Sequence, residues 1–183
     1  QFSGFEKGIK KYNFVADEMK RLVDVFPRSA HPMGVLSSLT SALTAFNPKA
    51  VDVSSKEDMD HAAEMLVAKF SHLCAWTYRK KMGLSINHGD DSLNYVENFY
   101  KMCFRRPNQE FHLDPVVVGA LDKLLILHAD HEQNCSTSTV RMVGSAHTGL
   151  FASVSAGISA LWGPLHGGAN QAVIEMLEMI EKD

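Results

Sequence analysis

The sequence predicts an all-α fold. Three observations carry this: apolar residues recur at three- and four-residue spacing in segment after segment, helix caps and prolines stand where such segments begin and end, and no stretch alternates strictly between apolar and polar residues between hairpin turns. From Ile9 to Val25, Val15, Met19, Leu22 and Val23 mark one amphipathic helix closed by Phe26-Pro27. After His31-Pro32, the apolar positions Leu36, Leu39, Leu43 and Phe46 predict a second helix from Met33, ended by Asn47-Pro48. Its polar positions are small hydroxyls, so both faces suit burial. Ser54 or Ser55 before Lys56, Glu57 and Asp58 has the form of an N-cap with acids in the first turn, and one long helix follows from about Met59 to Met82. Gly83 to Asp91 contains Asn87-His88-Gly89 and predicts a loop before a helix over Ser92 to Phe104. Asp114-Pro115 supplies a cap and a first-turn proline for a helix reaching about His131. Three more are expected over Ser136 to Ala146, Leu150 to Leu161 and His166 to Glu181. The helices from Val116 onward carry little charge on any face, so this half is expected to be the more buried, and the asymmetry also suits a subunit interface.

With 183 residues, the chain is expected to form a single helical domain or a large piece of one. Apolar residues make up 45% and charged residues 21%, a balance that excludes wholesale disorder. A formal net charge of -3 lacks the basic surplus that nucleic acid or an anionic membrane surface demands, so any anion must be gripped locally. Cys74, Cys103 and Cys135 have neither metal-ligand spacing nor the density of a disulfide framework, and reduced, structural roles are expected. The serine-interrupted run from Leu150 to Trp162 falls short of the roughly 20 apolar residues of a membrane span. Gln1 to Gly8 resembles no signal peptide and has no initiating methionine, which is expected of a chain whose natural start lies further upstream.

Two clusters can carry chemistry. Leu127-His128-Ala129-Asp130-His131-Glu132-Gln133-Asn134 gathers two imidazoles, two carboxylates and two amides at the end of an apolar helix. His128 and His131 are three apart and share a helical face, and the negative end of the helix dipole favours a cationic imidazole that could hold a carboxylate. The plainer reading is that both imidazoles bond the last helical carbonyls. Zinc is disfavoured, because the helical ligand pair with four-residue spacing and an internal glutamate is absent. The second cluster, Trp162-Gly163-Pro164-Leu165-His166-Gly167-Gly168-Ala169-Asn170, places one imidazole among glycines at a helix start. Close backbone approach by a ligand is possible there, and the positive helix end favours a neutral imidazole able to donate a hydrogen bond to a carbonyl oxygen. An incidental histidine in a glycine-rich turn is the alternative. No strand precedes the motif, so it is not a dinucleotide fingerprint.

Together, the two motifs, Ser136-Thr137-Ser138-Thr139-Val140-Arg141 and His31-Pro32-Met33 resemble citrate synthase of the bacterial type over nearly the whole chain. The resemblance implies part of a longer enzyme that condenses acetyl-CoA with oxaloacetate and water to citrate and CoA, with neither metal nor redox cofactor, in the cytoplasm, as a homodimer or larger assembly. It gives His166 the catalytic role of bonding the thioester carbonyl and His131 contact with oxaloacetate, with Asn134, Ser136 and His128 supporting substrate binding. The family's second catalytic histidine, catalytic aspartate and carboxylate-gripping arginines fall beyond Asp183, so the chain alone is expected to lack turnover. A 2-methylcitrate synthase using propionyl-CoA is the near alternative, and a non-catalytic helical self-association module the distant one. Some bacterial relatives are inhibited by NADH at a site on the helix holding Met65 and Lys69. Lys69 fits that pattern, whereas Met65 stands where an arginine is required, and such regulation is not expected.

Overall fold

A computed structural model describes residues 2–51, 53–130 and 132–182. Among them the chain forms α1 (Phe2–Lys11), α2 (Asp17–Val25), α3 (Pro32–Phe46), α4 (Lys56–Met82), α5 (Tyr95–Phe104), α6 (Pro115–Leu127), α7 (Cys135–Gly144), α8 (Leu150–Leu161) and α9 (Gly168–Lys182), with a 3₁₀ turn at Pro48–Val51. The all-α expectation holds. Two boundaries follow caps read from the sequence: Ser55 accepts the Asp58 amide at the start of α4, and Asp114 caps α6 ahead of Pro115. Asn94 and Glu97 form a reciprocal capping box that starts α5 at Tyr95, later than the expected Ser92.

The single helix expected over Ile9 to Val25 is instead two, α1 and α2. Residues 12–16 leave the helix because other groups take their backbone and side chains. The Lys69 ammonium donates to the carbonyls of Tyr12 and Phe14, Asn13 donates to Asp91 at 2.9 Å, and Val15 is buried. Aromatic and β-branched residues also lose more rotamer freedom in a helix than straight-chain ones, so the segment gives up little by unwinding. Lys69, whose ammonium a nucleotide site would need free, thus serves as a tie between α4 and the α1–α2 connection.

The core is built by α2, α3, α4, α5 and α8. Leu39 and Leu43 of α3, Leu73 and Trp76 of α4, Met102 of α5 and Phe151 of α8 are all essentially inaccessible. Burying such side chains stabilises by roughly 1.5–3 kcal/mol each. Helices α3 and α8 approach through their hydroxyls: Ser155 donates to the Ser37 carbonyl at 2.7 Å and Ser37 to the Ser155 carbonyl at 3.0 Å. The short side chains allow close contact, and the reciprocal bonds satisfy groups that burial would otherwise leave unpaired. Arg79 is fully buried at the end of α4, where its guanidinium donates to the carbonyls of Cys103 and Arg105, at 3.0 and 2.8 Å, and to Ser85. It fastens α4 to the end of α5.

Helix α7 lies against α8 at Gly157, where a β-carbon would stand 2.5 Å from Val140 and 3.5 Å from the Ser136 carbonyl. Only glycine lets the backbones come this close. The expectation that the second half is the more buried fails. Neither α6 nor α7 has a buried residue, and Val173, Ile174, Met179 and Ile180 of α9 are exposed. Low charge says that a face needs a cover; it does not say that the same stretch of chain supplies it.

Candidate active site

The site forms where the start of α7 meets the loop between α8 and α9. Helix α8 ends in a C-cap at Trp162, whose amide donates to the Ile158 carbonyl at 3.0 Å. The following glycines fold the chain back on that helix end. The Gly163 amide donates to Ala160 at 3.1 Å, Gly167 to Leu161 at 2.9 Å and Gly168 to Gly163 at 3.3 Å. His166 sits at the bend, its own amide donating to the Gly163 carbonyl at 3.0 Å. It therefore precedes α9, which begins at Gly168 and not at His166 as expected.

The imidazole reaches the neighbouring helix. Ser136 Oγ lies 2.8 Å from His166 Nε2. If the hydroxyl donates, Nε2 is the acceptor and the ring proton stays on Nδ1, free to bond a ligand oxygen; if it accepts, Nε2 holds the proton. Ser136 is half-buried on the second position of α7, on a face set by the contact at Gly157. This is the pair of predicted site residues that the fold brings into direct contact.

The turn from α6 to α7 holds the other candidates. His128 is the C-cap of α6, and its Nδ1 donates to the Leu124 carbonyl at 2.7 Å, the plainer of the two roles open to it. Asp130 accepts the Glu132 amide at 2.8 Å, and Glu132 itself adopts a positive φ of 58°. Asn134 caps α7, its carbonyl oxygen accepting the Thr137 amide at 2.9 Å. That leaves the amide nitrogen of Asn134 to donate elsewhere. Arg141 donates to Gln133 at 3.1 Å and holds the turn against α7. His131 lies outside the described residues.

Sequence reasoning missed how the His166 loop is seated. The His31 imidazole stacks on the Trp162 indole with ring centroids 5.0 Å apart and planes inclined by 21°. Nothing in either segment announces a partner so distant in sequence. A cavity of about 810 Å³ opens elsewhere, bordered by α1, α5 and α6, and neither Ser136 nor His166 lines it. Among the described residues, no cluster of three or more His, Cys, Asp or Glu side chains could hold a metal ion, and no helix is long and apolar enough to cross a membrane.

The family model of the citrate synthase C-terminal domain matches residues 1–183. The chain is 50% identical over 180 residues to citrate synthase 1 of Mycobacterium tuberculosis, covering 98% of itself and 42% of that protein. It is 47% identical over 179 residues to the citrate synthase of Corynebacterium glutamicum, of which it covers 41%. Among solved structures, citrate synthase from Pyrobaculum aerophilum superposes with a TM-score of 0.84 at 35% identity, over 97% of this chain and 45% of that one. A ternary complex of the Thermoplasma acidophilum enzyme with carboxymethyl coenzyme A and oxaloacetate has a TM-score of 0.86 over the same shares, and at 23% identity it speaks for the fold alone. The chain thus spans less than half the length of these relatives, and over that span it belongs to the citrate synthase family.

Proposed function

We propose that this chain is the part of a citrate-forming acyltransferase that presents His166 to the thioester of acetyl-CoA and His131 to oxaloacetate. The observation that carries the reading is the 2.8 Å contact between Ser136 and His166, on a loop tied by its backbone to the end of α8. With the hydroxyl donating to Nε2, the Nδ1 proton points away from Ser136 as a fixed donor. Such a donor stabilises the negative charge that builds on the thioester oxygen when a base removes a methyl proton. The enolate carbon then adds to the ketone of oxaloacetate, and hydrolysis of the citryl thioester releases CoA. Base and carboxylate-binding groups come from the remainder of the protein, since the chain covers 42% of the Mycobacterium relative. Asn134 and His128 support substrate binding from the start of α7 and the end of α6. The uncovered apolar faces of α6 and α9 support assembly as a homodimer or larger, and the family and composition support a cytoplasmic enzyme.

The test is His166→Ala in the full-length protein, with CoA release followed in the presence of oxaloacetate. Loss of one such donor is expected to lower kcat by about 100- to 1,000-fold, while calorimetry still detects oxaloacetate. Undiminished turnover would remove His166 from the chemistry. A preference for propionyl-CoA over acetyl-CoA would make the product 2-methylcitrate.

A further inference from the structure

The His166 loop is held from one side by Ser136 and from the other by a contact that the chemistry does not explain. Trp162, the residue before the loop, is packed into the first turn of α3. One face of its indole stacks on His31 at 5.0 Å. Its far edge, atoms Cζ3 and Cη2, stands 3.2 Å from where a β-carbon on Gly34 would be. A β-carbon at position 34 would press on the ring, which would have to give by a few tenths of an ångström to admit it. His31 is fixed in turn, because its Nδ1 accepts the Met33 amide at 3.2 Å as the N-cap of α3. Accepting there leaves Nδ1 unprotonated and holds the imidazole plane against the helix end. Helix α3 belongs to the packed core, with Leu36 and Leu39 buried one turn further on, so the contact links the loop to that core.

We propose that His31 and Gly34 are positioning residues that set the place of the His166 imidazole through Trp162. Trp162 is 46% exposed and Leu165 fully exposed, so core burial does not hold this corner. The aromatic stack on α3 and the Ser136 hydroxyl are its lateral supports. A shift of the indole by a few tenths of an ångström carries Gly163 with it, and the imidazole three residues on moves relative to Ser136. A reacting carbonyl senses such displacements, since misplacement by 1 Å costs on the order of 100-fold in rate.

The kinetic readout of this inference rests on the citrate-forming reading above, and the experiment separates the two. Three variants of the full-length protein are compared: Gly34→Ala, His31→Asn and His31→Phe. Asparagine keeps the helix cap and removes the stack; phenylalanine keeps a ring and removes the cap. The proposal expects kcat to fall by about 10-fold in Gly34→Ala and His31→Asn, the oxaloacetate KM to stay constant, and His31→Phe to retain most of the rate. Acrylamide quenching of tryptophan emission should rise in the two impaired variants, since of the two indoles in this span Trp162 is 46% exposed and Trp76 1%. Full kcat in His31→Asn or in Gly34→Ala overturns the proposal, as does a fall in His31→Phe equal to that in His31→Asn, which would make the cap and not the ring decisive. His31 is a surface residue, so His31→Asn remains informative if Gly34→Ala fails to fold. Should the unsubstituted protein form no citrate, the functional reading falls. The nitrogen resonances of His166 then decide the positioning claim, expected to shift in Gly34→Ala and His31→Asn and overturning it if they do not.

Discussion

Helices α4 and α6 are both apolar on much of their surface, yet they live in different surroundings. In α4, Leu66, Leu73, Ala75 and Trp76 are buried among α2, α3 and α5, and even the charged Lys69 and Arg79 are drawn in and partnered by backbone carbonyls. In α6, a helix with more apolar residues for its length, Leu124 is 51% exposed and Ile126 66%. The candidate site is split along the same line. His31, Trp162 and the His166 loop hang from the packed layer, while Ser136, Asn134 and His128 belong to α7 and the turn from α6, whose outer faces this chain leaves uncovered. The candidate groups thus gather at the seam between a packed layer and one without a buried residue among those described. On the proposed reading such a patch is an interaction surface.

The sharpest way to break that contrast is to cut the same side chain from each layer. Leu73→Ala, at a position with no exposure, is expected to cost about 2–5 kcal/mol of stability. Leu124→Ala is expected to cost less than about 0.5 kcal/mol in the chain by itself. Chemical denaturation of the two variants measures both. Equal losses would mean that α6 is covered in solution. In the full-length protein the Leu124 variant should become costly, and its dependence on protein concentration would reveal a second copy as the cover.

A smaller effect is expected where the site meets the helix caps. Asn134→Ala removes the acceptor for the Thr137 amide and should cost about 1 kcal/mol, whereas Asn134→Asp should keep most of that stability. If Asn134 also donates to substrate, Asn134→Asp will weaken oxaloacetate binding while leaving the unfolding midpoint nearly unchanged. Calorimetry and thermal melts on one pair of variants therefore separate the capping role from the binding role.

Most of the packed layer was legible in sequence, because caps and periodicity are local. Ser55 and Asp114 each stand within a turn of the amides they serve. The two histidine motifs were legible for the same reason. What escaped was decided by distant partners: Lys69 splits the first helix by claiming the carbonyls of Tyr12 and Phe14, and His31 seats Trp162. The reversal of the burial expectation has a different origin. The helices after Val116 are as apolar as expected, but hydropathy does not record which surface comes to cover them. His166 is expected at a helix start because the pattern from Ala172 to Ile180 follows the motif directly, whereas the bonds that turn Gly163, Gly167 and Gly168 back onto α8 belong to glycine backbone and leave no side-chain signature.

The smallest expected effect concerns the inner layer alone. His72 of α4 is 4% exposed, packs edge-on against Trp76 at 6.0 Å and donates from Nδ1 to the Ala68 carbonyl at 3.2 Å. Burial holds its pKa below the ordinary histidine value, with Lys69 and His88 pushing the same way and the Ala68 bond and Asp91 opposing. The folded state therefore prefers the neutral ring, while the unfolded chain takes up a proton near pH 6.5. Stability from this source is complete above that value and is lost as the pH falls from there through the depressed folded value. The melting temperature should decline on acidification over this range, and His72→Gln, which keeps an amide donor for Ala68 but cannot titrate, should flatten the decline. A wild-type profile that is flat, or one that Gln leaves equally steep, would assign the acid sensitivity to other groups. Because His72 lies in the packed layer, this pH dependence should persist unchanged when Leu124 is substituted. Failure of that independence would mean that the two layers unfold as one.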